Sequence, residues 1–254
     1  GNFRMRNSTI RNSLLSAASI LALLLVWKLL AVYWNQELIM PSPETTLVTM
    51  WQVIQADGFW QSVGYTLGRG LLGFVISCAV GVLAGFAAGF SPPVMWLLQP
   101  WVTVIRTIPV MSVIILAIIW FRTDIVPIFV TFLMIFPIIY SNVLSGIKNI
   151  DNRLLEMAHI YRVRPRRIMT ELYFPAILPY LMAGASNAMG ITWKVIIAAE
   201  ILSQPRFAIG TNLMVAKIDL ETARVFAWTA VAIAISFILE YGLNTLENRL
   251  KKWG

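Results

Sequence analysis

The sequence predicts an all-α integral membrane protein of about six spans, each ~20 residues long, with both termini in the cytoplasm. Three observations predict it. Only 13% of the 254 residues are charged, against about 25% in soluble domains, while 58% are hydrophobic and the mean hydropathy is +0.74. The apolar residues fall in long runs with internal glycines, not in the alternation of barrel strands, so helices are the spanning element. Of the 20 Lys and Arg residues, 12 lie at the two ends and between Lys148 and Arg167, and only Arg122, Arg206, Lys217 and Arg224 lie in the intervening outer segments. That bias sets orientation, because basic residues near span ends stay inside. The net charge of +8 therefore needs no nucleic-acid partner. A single cysteine, Cys78, excludes an internal disulfide. No cleavable leader is expected, since the first apolar run is long and lacks a small-x-small site before polar sequence.

Residues 1–12 carry Arg4, Arg6 and Arg11 and are expected inside. Ser13 to Trp34 is the first span, ending in Tyr33 and Trp34 where aromatic rings favour the interface. Residues 35–60 form an outer segment with Glu37, Glu44 and Asp57 and no Lys or Arg; within it, Thr45 to Gln55 is a short amphipathic surface helix. Ser62 to Phe90 is the second span, where Gly81, Gly85 and Gly89 share one helical face and permit close packing. Ser91-Pro92-Pro93 turns inside. Trp96 to Trp120 is the third span, interrupted by Pro100 and Pro109, and Phe121 to Asp124 is a short outer connection. Ile125 to Ile147 is the fourth span, and Ile177 to Ile201 the fifth. Residues 202–224 form a polar outer segment around Ile209-Gly210, before the sixth span, Val225 to Leu246. Arg249, Lys251, Lys252 and Trp253 close the inner face. The whole reads as one transmembrane domain, 1–254. Residues 1–37 are its tail and first span, 62–246 its core spans and 148–176 a cytoplasmic loop.

The loop from Glu156 to Pro179 holds the densest charge, with Arg162, Arg164, Arg166 and Arg167 close together. Asp151 is a fitting N-cap. The segment reads as two short helices broken near Val163 and Pro165, because proline disfavours helix at the residue before it and starts one well. Within it, Glu156, Met157 and Ala158, followed by Leu172, Phe174 and Pro175, resemble the EAA loop of ABC-importer permeases: a Glu-Ala-Ala triplet, a glycine, and a closing Ile-x-Leu-Pro. Met157 replaces an alanine, and Arg162 stands where the family has glycine, which bears on the local turn geometry. Further matches are Met40-Pro41-Ser42-Pro43, Arg69-Gly70 to Phe74, Pro100 to Pro109, Pro137, Gly184, Trp193 to Glu200, Ile209-Gly210 and the terminal basic-Trp. Over about residues 38–253 the chain is similar to nitrate/sulfonate/taurine-type importer permeases. Arg122, where these often have glycine, is a departure.

The resemblance implies the type I importer fold in a bacterial plasma (inner) membrane, multi-pass, set in membrane lipid. It implies a second permease copy completing the pore, two ATPase subunits carrying ATP and Mg, and an extracytoplasmic solute-binding protein. The chain itself would be no enzyme and hold no cofactor; it has no phosphate-cradling Gly-x-x-x-x-Gly-Lys motif. The segment from Leu154 to Val163 would couple to the ATPase, with Glu156 and Ala158 in contact, Met157 and Ile160 as apolar anchors, and Arg162 as an ion-pair donor. By the same resemblance the fifth span lines the pore, bringing in Asn187, Met189, Thr192 and Trp193.

Charges inside spans add to this, since each costs ~2.5–3.5 kcal/mol at mid-bilayer and so faces protein or water. Lys28 lies near a span end and can snorkel. Arg69 and Glu200 are expected close enough to the outer interface to reach water, and Glu200 can pair with Arg69 or a loop residue. Arg106, between Pro100 and Pro109, and Lys194 are candidates for the translocation pathway, as is Glu200. Three basic residues against one acidic hint at an anionic solute such as sulfonate, nitrate, bicarbonate or carboxylate; a vitamin-precursor-like heterocycle is the other class the resemblance allows. The alternative from the residues alone is a secondary transporter or channel acting without an ATPase. It would show an internal inverted repeat, and none is found.

Overall fold

A computed structural model describes residues 2–250, with side chains described for 15–16, 18–242 and 245. The basic residues at both ends (Arg4, Arg6, Arg11, Arg249, Lys251, Lys252) and Trp253 lie outside the described side chains. Every element among the described residues is helical. The chain divides into two compact units, one of Gly1–Phe59 with Asn212–Val231, the other of Trp60–Thr211 with Ala232–Gly254.

In the first unit, helix α1 (Asn2–Trp34) is followed by α2 (Pro43–Gln55). The predicted short helix starts two residues early because Ser42 caps it, accepting from Thr45 N at 3.1 Å, with Pro43 fixing the first turn. Lys28 of α1 pairs with Glu44, and Trp27 Nε1 donates to the Pro41 carbonyl at 3.0 Å, so the linker is pinned back on the helix it leaves.

The second unit is built around α6 (Val126–Lys148), against which α3 (Phe59–Phe90), α4 (Pro92–Thr107), α5 (Val110–Trp120) and α9 (Phe174–Ser203) all pack. The expected glycine face is the α3–α6 contact. A Cβ built on Gly81 would stand 2.8 Å from Ile139 Cβ, and one on Gly85 2.8 Å from Val143 Cβ. Real Cβ atoms do not approach so closely; only glycine lets the two backbones meet. The same row of α6, Ile135, Ile139, Val143 and Ile147, also buries against Ile177, Ala188, Met189, Trp193 and Ile196 of α9, so α3, α6 and α9 share one core.

The third apolar run breaks once, not twice. Pro100 sits inside α4, a lost donor that membrane helices tolerate. At Pro109 the chain does break: Ile108 turns extended before the proline, Thr107 Oγ1 takes the Val104 carbonyl, and α4 and α5 diverge by 101°. Among the described residues, α3, α6, the continuous helix Pro165–Ser203 and α11 (Thr222–Leu250, over Thr222–Gly242) are long and apolar enough to cross a membrane. The bent α4–α5 pair makes a fifth span if counted as one, and the apolar part of α1, Ala18–Trp34, is shorter than these. The expected count of about six therefore stands as four to five by length and composition. Within the segment expected as a polar connection lies a further helix, α10 (Ile209–Ile218).

Candidate coupling helix and membrane-embedded charges

After α6 the chain forms α7 (Asn152–Ile160), a break, α8 (Pro165–Ile168) and a π-helical turn (Met169–Tyr173) that runs into α9. Asp151 caps α7 as expected, accepting from Arg153 N at 2.9 Å. The π turn has a local cause. Pro175 has no N–H, and its ring would crowd the Glu171 carbonyl in a regular helix; the wider turn, with Phe174 N bonded to Met169 O, relieves this.

No residue of α7 is buried. Its two faces differ. Leu154, Met157, Ala158 and Tyr161 recur at helical spacing and, with Val163, Ile168 and Leu172, line a cleft of about 280 Å³. The Arg167–Glu171 ion pair, at 2.8 Å, borders it. Glu156 and Ile160, one turn apart, stand on the opposite face, and Ile160 is 75% exposed. The expected apolar anchors thus separate: Met157 faces the chain's own cleft, and Ile160 faces away from it.

Arg162 closes α7 at φ 50°, in the left-handed region that favours glycine. Val163 N bonds to Ala158 O at 2.9 Å and Arg162 N to His159 O at 3.0 Å, the paired bonds of a Schellman turn. Arg162 therefore keeps the turn in which glycine would be at ease.

Of the residues expected on a pathway, Arg106, Asn187 and Lys194 are exposed on this chain, whereas Met189, Thr192, Trp193 and Glu200 are buried in the second unit. Asn187 and Lys194 lie seven positions apart in the sequence and so share a face of α9. Arg106 sits in the last turn of α4, where a cation complements the helix dipole, just before the 101° bend.

Arg69 and Glu200 are buried, 7% and 0% exposed, and face each other, while Arg69 also borders an open cleft. Glu200 accepts from Arg69 Nη1 at 3.2 Å, from Thr66 Oγ1 at 2.9 Å and from Gly210 N at 3.2 Å. Arg69 also donates to the Phe207 carbonyl at 2.8 Å and to Asp124 at 2.6 Å. Thr66 Oγ1 in turn accepts from Ile209 N at 3.0 Å, so the carboxylate and its neighbour satisfy the free amides that open α10. A Cβ on Gly210 would fall 2.5 Å from Glu200 Cβ, which explains the Ile209-Gly210 pair. Sequence reasoning missed Thr66 and Asp124. Thr66 was accessible, one helical turn before Arg69; Asp124, on a connection, was not.

These features define a helical membrane protein with an exposed, capped helix between two apolar spans. The family model of the binding-protein-dependent transport system inner membrane component matches residues 78–252. The chain is 28% identical over 250 residues to the taurine transport system permease protein TauC of Escherichia coli (strain K12), covering 96% of this chain and 90% of that one. It is 30% identical over 231 residues to the putative aliphatic sulfonates transport permease protein SsuC of the same organism (90% and 87% covered). It is 26% identical over 240 residues to the bicarbonate transport system permease protein CmpB of Synechocystis sp. (strain ATCC 27184 / PCC 6803 / Kazusa), covering 90% and 85%. Among solved structures, an amino acid ABC transporter with histidines superposes with a TM-score of 0.59 at 14% identity, covering 74% and 90%. The inward-facing MetNI methionine ABC transporter gives 0.55 at 19% identity, covering 79% and 95%. The chain belongs to the family of binding-protein-dependent transport system inner membrane components. It is a multi-pass permease subunit of an ABC importer in the inner membrane, with the type I importer permease fold. It is not an enzyme; the ATPase is a separate subunit, and membership implies ATPase and binding-protein partners.

Proposed function

We propose that α7 is the element through which partner ATPase subunits move this permease, and that the exposed face of α9 borders the path of a small anion. The observation that carries the first part is the exposure of α7: a capped, turn-closed helix whose Glu156–Ile160 face is exposed. A helix with one apolar face on its own scaffold and another left open is suited to transmit a push as a rigid body. Glu156 and Ile160 make the contact, Arg162 supplies a cation beside it, and Leu154, Met157, Ala158 and Val163 tie the helix to the π turn and thus to α9. ATP and Mg bind the partners, of which two act on two copies of this chain, with α7 and both termini in the cytoplasm.

Support for an anion comes from the charges left over. Arg69 is neutralised by Glu200 and Asp124, which leaves Arg106 and Lys194 as cations without an ion-pair partner among the described residues. Lys194 and Asn187 point away from the core of the unit, whereas Met189, Thr192 and Trp193 hold α9 in place and do not touch solute. The relatives named for taurine, aliphatic sulfonates and bicarbonate carry anionic groups of this kind.

The test is the complete importer in liposomes. Glu156→Lys is expected to leave the permease folded and inserted while transport per ATP hydrolysed falls at least about tenfold, since a buried interfacial charge reversal costs several kcal/mol. Full transport by that variant would remove α7 from the coupling path.

A further inference from the structure

The first unit carries a feature that coupling and translocation do not use. The chain leaving α1 and the turn entering α11 meet, with Thr222 Oγ1 donating to the Leu38 carbonyl. Together with α2 they enclose a cleft of about 400 Å³ lined by Glu37, Thr45, Gln52, Leu220, Glu221 and Arg224. Residues 35–59 and 212–224 hold the carboxylates Glu37, Glu44, Asp57, Asp219 and Glu221 against the cations Lys217 and Arg224, an acidic face on a chain of net charge +8. Two of the carboxylates are engaged. Lys28 hydrogen-bonds Glu44 and holds it below the usual carboxylate range, and Arg224 pairs with Glu221 at 2.7 Å. Glu37, at the cleft, accepts only from Thr45 Oγ1, at 3.1 Å, and has no ion-pair partner among the described residues.

Two leucines stand at the rim: Leu38 and Leu220 are 64% and 69% exposed. Leu220 is also strained: it closes α10 at φ 58°, with Glu221 N bonded to Ala216 O and Leu220 N to Lys217 O. This is the glycine position of a Schellman turn, so a large apolar side chain is held there against its backbone preference and displayed at the rim. Two exposed leucines beside a carboxylate without an ion-pair partner among the described residues, in a mostly polar cleft, suit a long cationic side chain, whose stem packs while its head is neutralised. A metal ion would instead need several convergent oxygens, and Glu221 is already held by Arg224.

We propose that this cleft docks a lysine or arginine side chain of the extracytoplasmic binding protein, with Glu37 as its counter-ion and Leu38 and Leu220 against its stem. This rests on the importer reading, with residues 35–60 and 202–224 on the outer side.

The experiment uses the complete importer in nanodiscs, with ATPase rate followed against the concentration of its purified binding protein. Glu37→Lys is expected to raise the half-stimulating concentration about tenfold or more, and Glu37→Gln by about threefold, while the rate without binding protein stays at the wild-type value. Reversing the matching Lys or Arg on the binding protein to Glu restores the midpoint in Glu37→Lys. An unchanged midpoint in both variants overturns the proposal and leaves the cleft to a small cation or to none. Glu156→Lys instead lowers the maximum rate at an unchanged midpoint, so the docking and coupling readings fail separately. A wild-type rate that the binding protein does not alter overturns both.

Discussion

Removing the Glu200 carboxylate is expected to be the most damaging single truncation in the second unit outside its apolar core. Three donors converge on it: Arg69 Nη1, Thr66 Oγ1 and Gly210 N. In Glu200→Ala all three lose this acceptor at a buried site. Breaking a buried ion pair by removing one partner costs about 3–5 kcal/mol. Arg69 keeps Asp124 and the Phe207 carbonyl, so its charge is not stranded, and the lower end, about 3 kcal/mol, is expected. For a chain of this size that corresponds to a fall of roughly 6–12 °C in Tm. Glu200→Gln keeps an acceptor for Thr66 or Gly210 but turns an amide toward Arg69, and should fall between Glu200→Ala and wild type. Asp124 is 59% exposed, so Asp124→Ala removes a water-screened pair worth about 0–1 kcal/mol despite its shorter 2.6 Å contact. The assay is detergent-solubilised protein heated in steps and quantified by fluorescence-detected size exclusion, all variants in one detergent. A Glu200→Ala shift under about 2 °C, or an Asp124→Ala shift as large as that of Glu200→Ala, would refute the claim that burial, rather than distance, sets the strength of this hub.

Two further outcomes are expected. Gly85→Leu should destabilise by about 1–3 kcal/mol or more, because even a Cβ there meets Val143 Cβ at 2.8 Å and the Tyr140 carbonyl at 3.1 Å. Gly64→Leu, where nothing stands within 4 Å, should stay within about 1 kcal/mol in the same thermal assay. Arg162→Gly should relieve about 1 kcal/mol of left-handed strain and slow amide exchange at Arg162 and Val163 by about two- to fivefold, measured by hydrogen–deuterium exchange.

Much of this fold was legible because a bilayer imposes strong rules on sequence. Apolar runs marked α3, α6, α9 and α11, and the repeat of Gly81, Gly85 and Gly89 named the face of α3 that meets another helix. Local chemistry placed Asp151 at a helix start, whereas Ser42 read only as part of a proline turn and caps α2 in the structure. What could not be read was long-range. Pro100 and Pro109 are the same residue type seven and sixteen positions after the Pro93 turn, yet only Pro109 breaks the chain, where Ile108 turns extended and Val104 O is shared by Ile108 N and Thr107 Oγ1. α10 was hidden because its first amides are satisfied by Thr66 and Glu200, partners distant in sequence or held on another helix.

The fifth span shows why candidate pathway residues could be named from sequence but not sorted. Trp193 and Lys194 are adjacent, and a helix turns 100° between neighbours, so one packs into the core while the other leaves it. Trp193 touches the space beside Gly70 on α3, with its ring 3.3 Å from a Cβ built there, and is 2% exposed. Lys194, 100° further round, falls on the exposed side, where Asn187 also lies. A hydrophobicity count treats both residues as span members; the phase of the helix, set by the fit of Trp193 against a glycine, decides which is buried and which is exposed. The same phase puts Glu200, seven positions beyond Trp193, on its inward face, where it meets Arg69, Thr66 and the first amides of α10. The cationic balance facing outward is thus set by which acidic residue the core consumes.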